Sequence, residues 1–104
     1  MTGYDCIVIG AGGIGSAALD HVASRGARVL GIERFGIAHD QGSSHGHTRV
    51  IRQAYFEHPD YVPLLVDAYR LWDDLADHSG QPLISRCGLL LAGVPDGPAV
   101  AGTR

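Results

Sequence analysis

The hydrophobic residues in the first third of the chain form two short continuous runs with a helical pattern between them. The runs are Cys6–Ile9 and Val29–Ile32, and such runs are typical of parallel strands that are buried on both faces. The segment between them, residues 14–25, contains Ala17, Ala18, Val22 and Ala23 and lacks proline, which predicts a helix that ends at Gly26. The order strand, helix, strand predicts an α/β fold with two parallel strands.

A longer amphipathic pattern follows in the second half of the chain. Apolar residues recur at steps of three and four through residues 62–75, which predicts a helix with one apolar face. Asp60 is a candidate cap for its first turn, and Gly80 is the residue at which we expect it to end. We expect Tyr69 and Trp72 to belong to the core rather than to a ligand platform.

The remaining segments carry weaker patterns. Residues 35–48 are polar, rich in glycine and histidine, and without a helix or strand period, which indicates a long loop, and loops of this length are usually functional or disordered. Two short apolar runs at 83–86 and 88–92 predict a pair of strands. The tail at 94–104 mixes proline, glycine and alanine and predicts no element by itself.

The turn between the first strand and the first helix has the glycine spacing of a dinucleotide-binding site. Gly10 allows the sharp turn, Gly12 allows backbone to approach a diphosphate, and Gly15 allows the helix to pack close to the strand. Glu33 ends the second strand, where a carboxylate accepts hydrogen bonds from a ribose diol. A purely structural βαβ unit with an incidental acid is the alternative. The full turn consists of Gly10, Ala11, Gly12, Gly13, Ile14 and Gly15.

Composition and charge exclude several classes of protein. The chain has 104 residues, 45% of them hydrophobic, and a net charge of -3, so it fits one globular domain or part of one and offers no basic surface for nucleic acid. Cys6 and Cys87 form no paired pattern, which argues against a disulfide framework or a zinc site. No run has the length of a membrane span and the start lacks the features of a secretory signal, so we expect a cytoplasmic protein without a membrane partner.

The segment at 42–52 concentrates cations and hydrogen-bond donors. If Arg49 and Arg52 lie on one helical turn they are neighbours, and together they could hold a carboxylate; the alternative is that both are solvated surface charges. His45 and His47 could form a metal pair, but no acidic residue or cysteine follows at ligand spacing, so we predict no metal. A polar contact from His45 to a bound ring is the other interpretation.

Two stretches of the chain carry a resemblance to a known family. The first is the glycine turn after Asp5, which occurs in many flavoproteins. The second, which is far more specific, is Gly42-Ser43-Ser44-His45-Gly46-His47-Thr48-Arg49-Val50-Ile51-Arg52-Gln53-Ala54-Tyr55. Together they resemble the start of the monomeric sarcosine oxidase and N-methyltryptophan oxidase family of FAD-dependent amine oxidases.

The resemblance implies a Rossmann-like FAD-binding βαβ unit that forms the N-terminal part of a two-domain glutathione-reductase-type flavoprotein. FAD binding is then expected at 1–83 and the start of a substrate domain at 84–104.

The resemblance also implies a set of site residues. The diphosphate of FAD would lie at residues 10–15 and its adenosine ribose at Glu33, while Arg52 would hold the substrate carboxylate and Tyr55 would border the substrate. The implied reaction oxidises the C–N bond of a small N-methyl amino acid, with oxygen as the second substrate, to an imine and hydrogen peroxide. Further cofactor contacts would come from Arg34, Ser43, His45, Thr48 and Arg49, and the catalytic group would comprise His45, Arg49, Arg52 and Tyr55.

Members of this family are several times longer than this chain. We therefore expect a fragment that is inactive alone and needs the missing C-terminal portion. An alternative is an NAD(P)-binding module of a dehydrogenase that uses Glu33 and Arg34, because a cation after the acid can meet a 2′-phosphate. A non-enzymatic remnant that complements a second chain is a further alternative.

Overall fold

The computed structural model describes residues 3–102. These residues form two compact units, one up to Arg49 and the other from Val50 onward. The outer ends of the two segments predicted at 1–83 and 84–104 lie outside the described residues. That division into an FAD-binding segment and a substrate segment stays a prediction.

The first unit is a parallel βαβ arrangement. Strand β1 (Cys6–Ile9) leads into helix α1 (Gly13–Ala23), which leads into strand β2 (Val29–Ile32). The strands pair in parallel, with Cys6 opposite Val29 and Ile9 opposite Ile32. Helix α1 packs against both strands. The predicted α/β unit is confirmed, and both strands have the predicted bounds.

Two glycine residues, which have no side chain, allow α1 to lie close to the sheet. A Cβ on Gly15 would stand 2.9 Å from the carbonyl carbon of Gly10 and closer still to its oxygen. On β2, a Cβ on Gly31 would stand 2.7 Å from Cδ1 of Leu19. Because both positions are glycine, the helix backbone approaches the end of β1 and the Leu19 side chain lies flat on β2.

The expectation that β1 is buried on both faces is wrong. Cys6 and Val8 are half-buried, whereas Ile7 and Ile9 are 56% and 85% exposed. Helix α1 packs against the two strands but leaves the side chains of Ile7 and Ile9 exposed. Among residues 3–102 no side chain is fully buried, so this part of the chain holds no finished hydrophobic core.

The second unit contains helix α2 (Tyr61–Ser79) and helix α3 (Pro98–Ala101). Helix α2 ends as predicted, because Gly80 adopts the left-handed conformation at φ 65° and its N–H donates to the carbonyl of Ala76. The capping role expected of Asp60 is wrong. Its backbone is already helical and its side chain makes no cap hydrogen bond; the carboxylate lies 3.5 Å from Nδ1 of His58 instead.

Three other expectations for the second unit are also wrong. Residues 83–86 and 88–92 form no strands, since neither segment finds a ladder partner in the described chain and Gly88 interrupts them at φ 78°. The tail contains the short helix α3, which begins at a proline, a residue suited to the first helical position. Trp72 is 38% exposed rather than in a core.

Tyr69 is half-buried, and its hydroxyl donates to the carbonyl oxygen of Ile51 at 3.1 Å. Arg86 pairs with Asp73 at 2.6 Å and lies over the Tyr69 ring, which holds the segment after α2 against that helix. None of the helices described for residues 3–102 combines the length and hydropathy required to cross a bilayer.

Candidate functional site

The glycine turn joins β1 to α1 through a conformation that requires glycine. Gly10 has φ 90°, and its N–H donates to the carbonyl oxygen of Ile32 at 2.7 Å, so the turn is held to the end of β2. Gly12 is the N-cap of α1 and offers no side-chain cap. A Cβ on Gly12 would meet no atom within 4 Å. The space beside the helix N-terminus is therefore open, and the first N–H groups of the helix have no intrahelical partner.

Glu33 ties the end of β2 to this turn. Its Oε2 accepts from the N–H of Ala11 at 2.6 Å, and its Oε1 accepts from the N–H groups of Arg34 at 2.7 Å and Phe35 at 3.1 Å. The hydrogen bond from Ala11, followed by those from Phe35 and Arg34, lowers the pKa of Glu33 to about 2. The side chain is 14% exposed. Glu33 is therefore a fixed anion beside the glycine turn.

His39 is a member of the site that the sequence did not indicate. Its Nε2 lies 3.3 Å from Oε1 of Glu33, and its Nδ1 accepts from the N–H of Gln41 at 3.1 Å. The ring also contacts Phe35, with 4.9 Å between centroids. No spacing rule links a histidine six positions after the strand-end acid to that acid, because the contact depends on the path of the irregular loop between them.

A cavity of about 660 Å³ lies between the glycine turn and the loop at 37–47. Of the predicted cofactor-binding residues, Ala11, Gly12, Gly13 and His45 line it. A Cβ on Gly13 would meet Oγ of Ser44 at 2.7 Å, so the glycine at that position allows the loop to approach the turn. The other lining residues are Ser16, Ile37, Ala38, His39, Asp40, Gly42, Ser44, Gly46 and His47.

Arg49 binds its own loop rather than lining this cavity. Its Nε donates to the carbonyl of Ser44 at 3.1 Å, and its Nη2 donates to the carbonyls of Ser43 at 2.5 Å and of His45. Thr48 is exposed and is also outside the cavity lining. The guanidinium thus closes the loop into a ring. The contacts of Ser43, Thr48 and Arg49 with a cofactor stay predictions.

Arg34 and Ile14 are also exposed. The Arg34 guanidinium lies 5.4 Å from the centroid of the Phe35 ring, and Ile14 is 88% exposed at the start of α1. Arg34 therefore contributes its backbone N–H, rather than its charge, to the network around Glu33. Its predicted contact with a cofactor remains untested.

Arg52 and Tyr55 belong to the second unit. The Arg52 guanidinium lies over the rings of Tyr55 at 4.5 Å and Phe56 at 4.9 Å, and it pairs with the carboxylate of Glu57. The helical turn that would make Arg49 and Arg52 neighbours is not formed, because the backbone there is irregular. Their roles at a substrate stay predictions.

The parallel βαβ unit, the open glycine turn and the strand-end carboxylate together define a dinucleotide-binding protein of the Rossmann type. The chain belongs to the FAD dependent oxidoreductase family, whose model matches residues 5–102. The family resemblance and the FAD cofactor indicated by the sequence are thereby confirmed. The alternative of an NAD(P)-binding module receives no support.

Comparison with curated relatives shows which members of the family the chain is similar to. The chain is 51% identical over 100 residues to a monomeric sarcosine oxidase of Streptomyces avermitilis, a match that covers 96% of this chain and 26% of the relative. It is 42% identical to an N-methyl-L-tryptophan oxidase of Citrobacter koseri, over 94% of this chain and 26% of that protein. A Yersinia pestis N-methyl-L-tryptophan oxidase is 46% identical over 89% of this chain and 25% of its own length. The chain thus spans about a quarter of the length of these relatives.

The residues around the cavity fit the nucleotide end of FAD. The open space at Gly12 admits a diphosphate at the start of α1, where the helix dipole favours negative charge. Glu33 supplies an ionised acceptor for a ribose hydroxyl. No group of three or more His, Cys, Asp or Glu residues that could hold a metal occurs within residues 3–102.

Proposed function

We propose that this chain contributes the nucleotide-binding part of an FAD-dependent amine oxidase. The substrate is a small N-methyl amino acid such as sarcosine or N-methyltryptophan, and oxygen is the second substrate. The products are an imine and hydrogen peroxide. The observation that carries this proposal is the hydrogen bond from Ala11 to Glu33, which places a fixed anion beside an open glycine turn. The names of the relatives support the choice of substrate class.

The nucleotide is held by two features of the first unit. The first turn of α1, after Gly12, receives the diphosphate through N–H groups that lack partners in the helix. Glu33 accepts a hydrogen bond from the adenosine ribose. FAD, when bound, accepts the two electrons removed from the C–N bond of the substrate. The loop at 42–48 contributes His45, which lines the cavity, together with Ser43 and Thr48, while Arg34 lies at the adenosine end.

Arg49 stabilises the loop and supplies a positive charge near the flavin ring. Arg52 binds the substrate carboxylate, and Tyr55 borders the substrate. The aromatic contacts of Arg52 support this assignment, since they hold the guanidinium in a fixed plane. The guanidinium also pairs with the Glu57 carboxylate, so a substrate carboxylate has to share or displace that partner.

The chain spans about a quarter of its relatives' length, so we propose that the rest of the cofactor and substrate sites comes from a C-terminal portion. In this proposal the architecture is of the two-domain glutathione-reductase type, and this chain alone binds FAD without turning over substrate. The cytoplasmic location stays a prediction.

An FAD titration of the chain tests the proposal. We expect quenching of flavin fluorescence that saturates, and we expect Glu33→Gln to weaken it because the ribose loses its ionised acceptor. NADH and NADPH serve as controls and are expected to give no saturable signal. Absence of FAD binding to a folded chain, or equal binding of NADH, would contradict the proposal.

A further inference from the structure

The two oxygens of the Glu33 carboxylate are used unequally. Oε1 accepts from the N–H groups of Arg34 and Phe35 and faces Nε2 of His39. Oε2 accepts only from the N–H of Ala11 among the hydrogen bonds of the described residues. A carboxylate offers about four lone-pair sites, two on each oxygen. Oε1 therefore faces three donor groups of the protein, whereas Oε2 faces one and keeps an acceptor site beside the glycine turn.

The ring nitrogen of His39 that lies near Oε1 is the one available as a donor. Its Nδ1 accepts from the N–H of Gln41, which leaves the proton of the neutral ring on Nε2, the atom that faces Glu33. The ring is held by Phe35 on one side, and the side chain is only 16% exposed. These contacts fix both the tautomer and the direction of the imidazole.

The backbone residue before His39 has a strained conformation. Ala38 has φ 58°, and it is the one non-glycine residue of residues 3–102 with positive φ. An alanine adopts this conformation at a cost. The surrounding contacts must therefore outweigh that cost. The contacts next to Ala38 are the approach of His39 Nε2 to Glu33 and the hydrogen bond that His39 Nδ1 accepts from the N–H of Gln41.

We infer that His39 is a positioning residue for nucleotide recognition. It donates from Nε2 to Oε1 of Glu33 and so stops rotation of the carboxylate, which keeps the free acceptor site of Oε2 directed to a vicinal diol. The ligand group recognised in this way is the ribose diol of the adenosine part of FAD, and the inference rests on the proposed function for that ligand. Because His39 also lines the cavity, it couples the loop at 37–47 to the ribose contact.

Two substitutions separate the hydrogen bond of His39 from its packing. His39→Phe keeps a ring against Phe35 and removes the donor, and His39→Gln keeps a donor of similar reach. His78→Phe, at the exposed end of α2, is the matched control for a histidine-to-phenylalanine change. We expect about a tenfold loss of FAD affinity in His39→Phe, as for one hydrogen bond to a charged group. His39→Gln should recover most of that loss, and the control should bind as the original chain does.

A comparison of two ligands, one with and one without the ribose diol, distinguishes a positioning role of His39 from a purely structural one. We expect His39→Phe to weaken binding of ADP about tenfold but to leave binding of 2′,3′-dideoxy-ADP unchanged, because the second ligand has no diol. An equal loss of affinity for both ligands would overturn the inference, since it would mean that the substitution disturbs the site as a whole.

A ligand-free measurement keeps the inference independent of the proposed function. Nitrogen NMR of the His39 imidazole should show the proton on Nε2, and exchange of the Gln41 amide proton should accelerate in His39→Phe. If the folded chain binds neither FAD nor ADP, the proposed function fails. If His39 carries its proton on Nδ1, or if Gln41 exchange is unchanged, the inference about His39 fails whatever the chain binds.

Discussion

Replacement of Gly15 by alanine tests the close approach of α1 to β1. The added Cβ would lie 2.9 Å from the carbonyl carbon of Gly10 and 3.5 Å from Cγ1 of Val8. Carbon atoms in favourable contact are about 3.5–4.0 Å apart, so the helix would have to retreat by at least about 0.6 Å at this point. The obstructing group is the backbone of Gly10, and the N–H of Gly10 is held to the carbonyl of Ile32 by a 2.7 Å hydrogen bond. A rotamer change cannot relieve the clash.

The expected magnitude follows from two opposing effects. Forcing one extra methyl into a packed contact costs about 1–3 kcal/mol, and the rigid neighbour at Gly10 places this case at the upper end. Alanine is a better helix former than glycine by about 1 kcal/mol. We therefore expect Gly15→Ala to lower the free energy of unfolding by about 2 kcal/mol, measured by urea unfolding followed by circular dichroism.

Gly12→Ala is the matched control on the same turn. Its Cβ would meet no heavy atom within 4 Å, and its φ of -70° and ψ of -165° suit alanine. We expect the free energy of unfolding to fall by no more than about 1 kcal/mol, because alanine is a poorer N-cap residue than glycine, while FAD affinity falls because the methyl group occupies the space proposed for the diphosphate. If Gly15→Ala unfolds at the same urea concentration as the original chain, the close packing inferred at this turn is wrong.

Three further outcomes are expected. The stability contributed by Glu33 is fully present above its unfolded pKa of 4.5 and is lost as pH falls toward its folded pKa of about 2. The free energies of unfolding of Glu33→Gln and of the original chain should therefore differ above pH 4.5 and converge near pH 2. A difference that stays constant with pH would contradict this. Because residues 3–102 hold no fully buried side chain, the chain should bind the dye ANS under native conditions and show a urea m-value of about 1 kcal/mol/M, the low end of the range for small domains. A steeper transition without dye binding would show that a core exists. Arg49→Lys should accelerate amide exchange in residues 43–48 about tenfold, since lysine lacks the planar fork that reaches the carbonyls of Ser43, Ser44 and His45; unchanged exchange would show that the loop is held by other contacts.

Local patterns were sufficient to predict the strand–helix–strand order of the first unit and the end of α2. The bounds of β1 and β2, the turn at Gly10 and the left-handed residue that ends α2 follow from residues adjacent in sequence. Glycine supplies the positive φ at Gly10 and Gly80, and the apolar runs Cys6–Ile9 and Val29–Ile32 form the strands. The strand-end acid was found for the same reason, because its position is counted along the chain from the glycine turn.

Features that depend on distant partners could not be predicted in this way. Residues 83–86 and 88–92 have strand-like composition, yet a strand also needs a neighbour, and none is present in the described chain. His39 contacts Glu33 only because the intervening loop folds back. Arg49 was expected to approach a ligand, but the structure directs its donors to carbonyls of its own loop, and no sequence pattern distinguishes these two uses of a guanidinium group.

The ring that Arg49 forms with its own loop affects the thermodynamics of ligand association. Its side chain spans from residue 49 back to the carbonyls of Ser43, Ser44 and His45, so this part of the chain gives up conformational freedom when the protein folds. A ligand that arrives later has less disorder to remove, and the loop should therefore contribute little unfavourable entropy to binding. Opening the ring by substitution would transfer that entropy loss to the binding step, and affinity would fall for this reason in addition to any contact that Arg49 makes with the ligand.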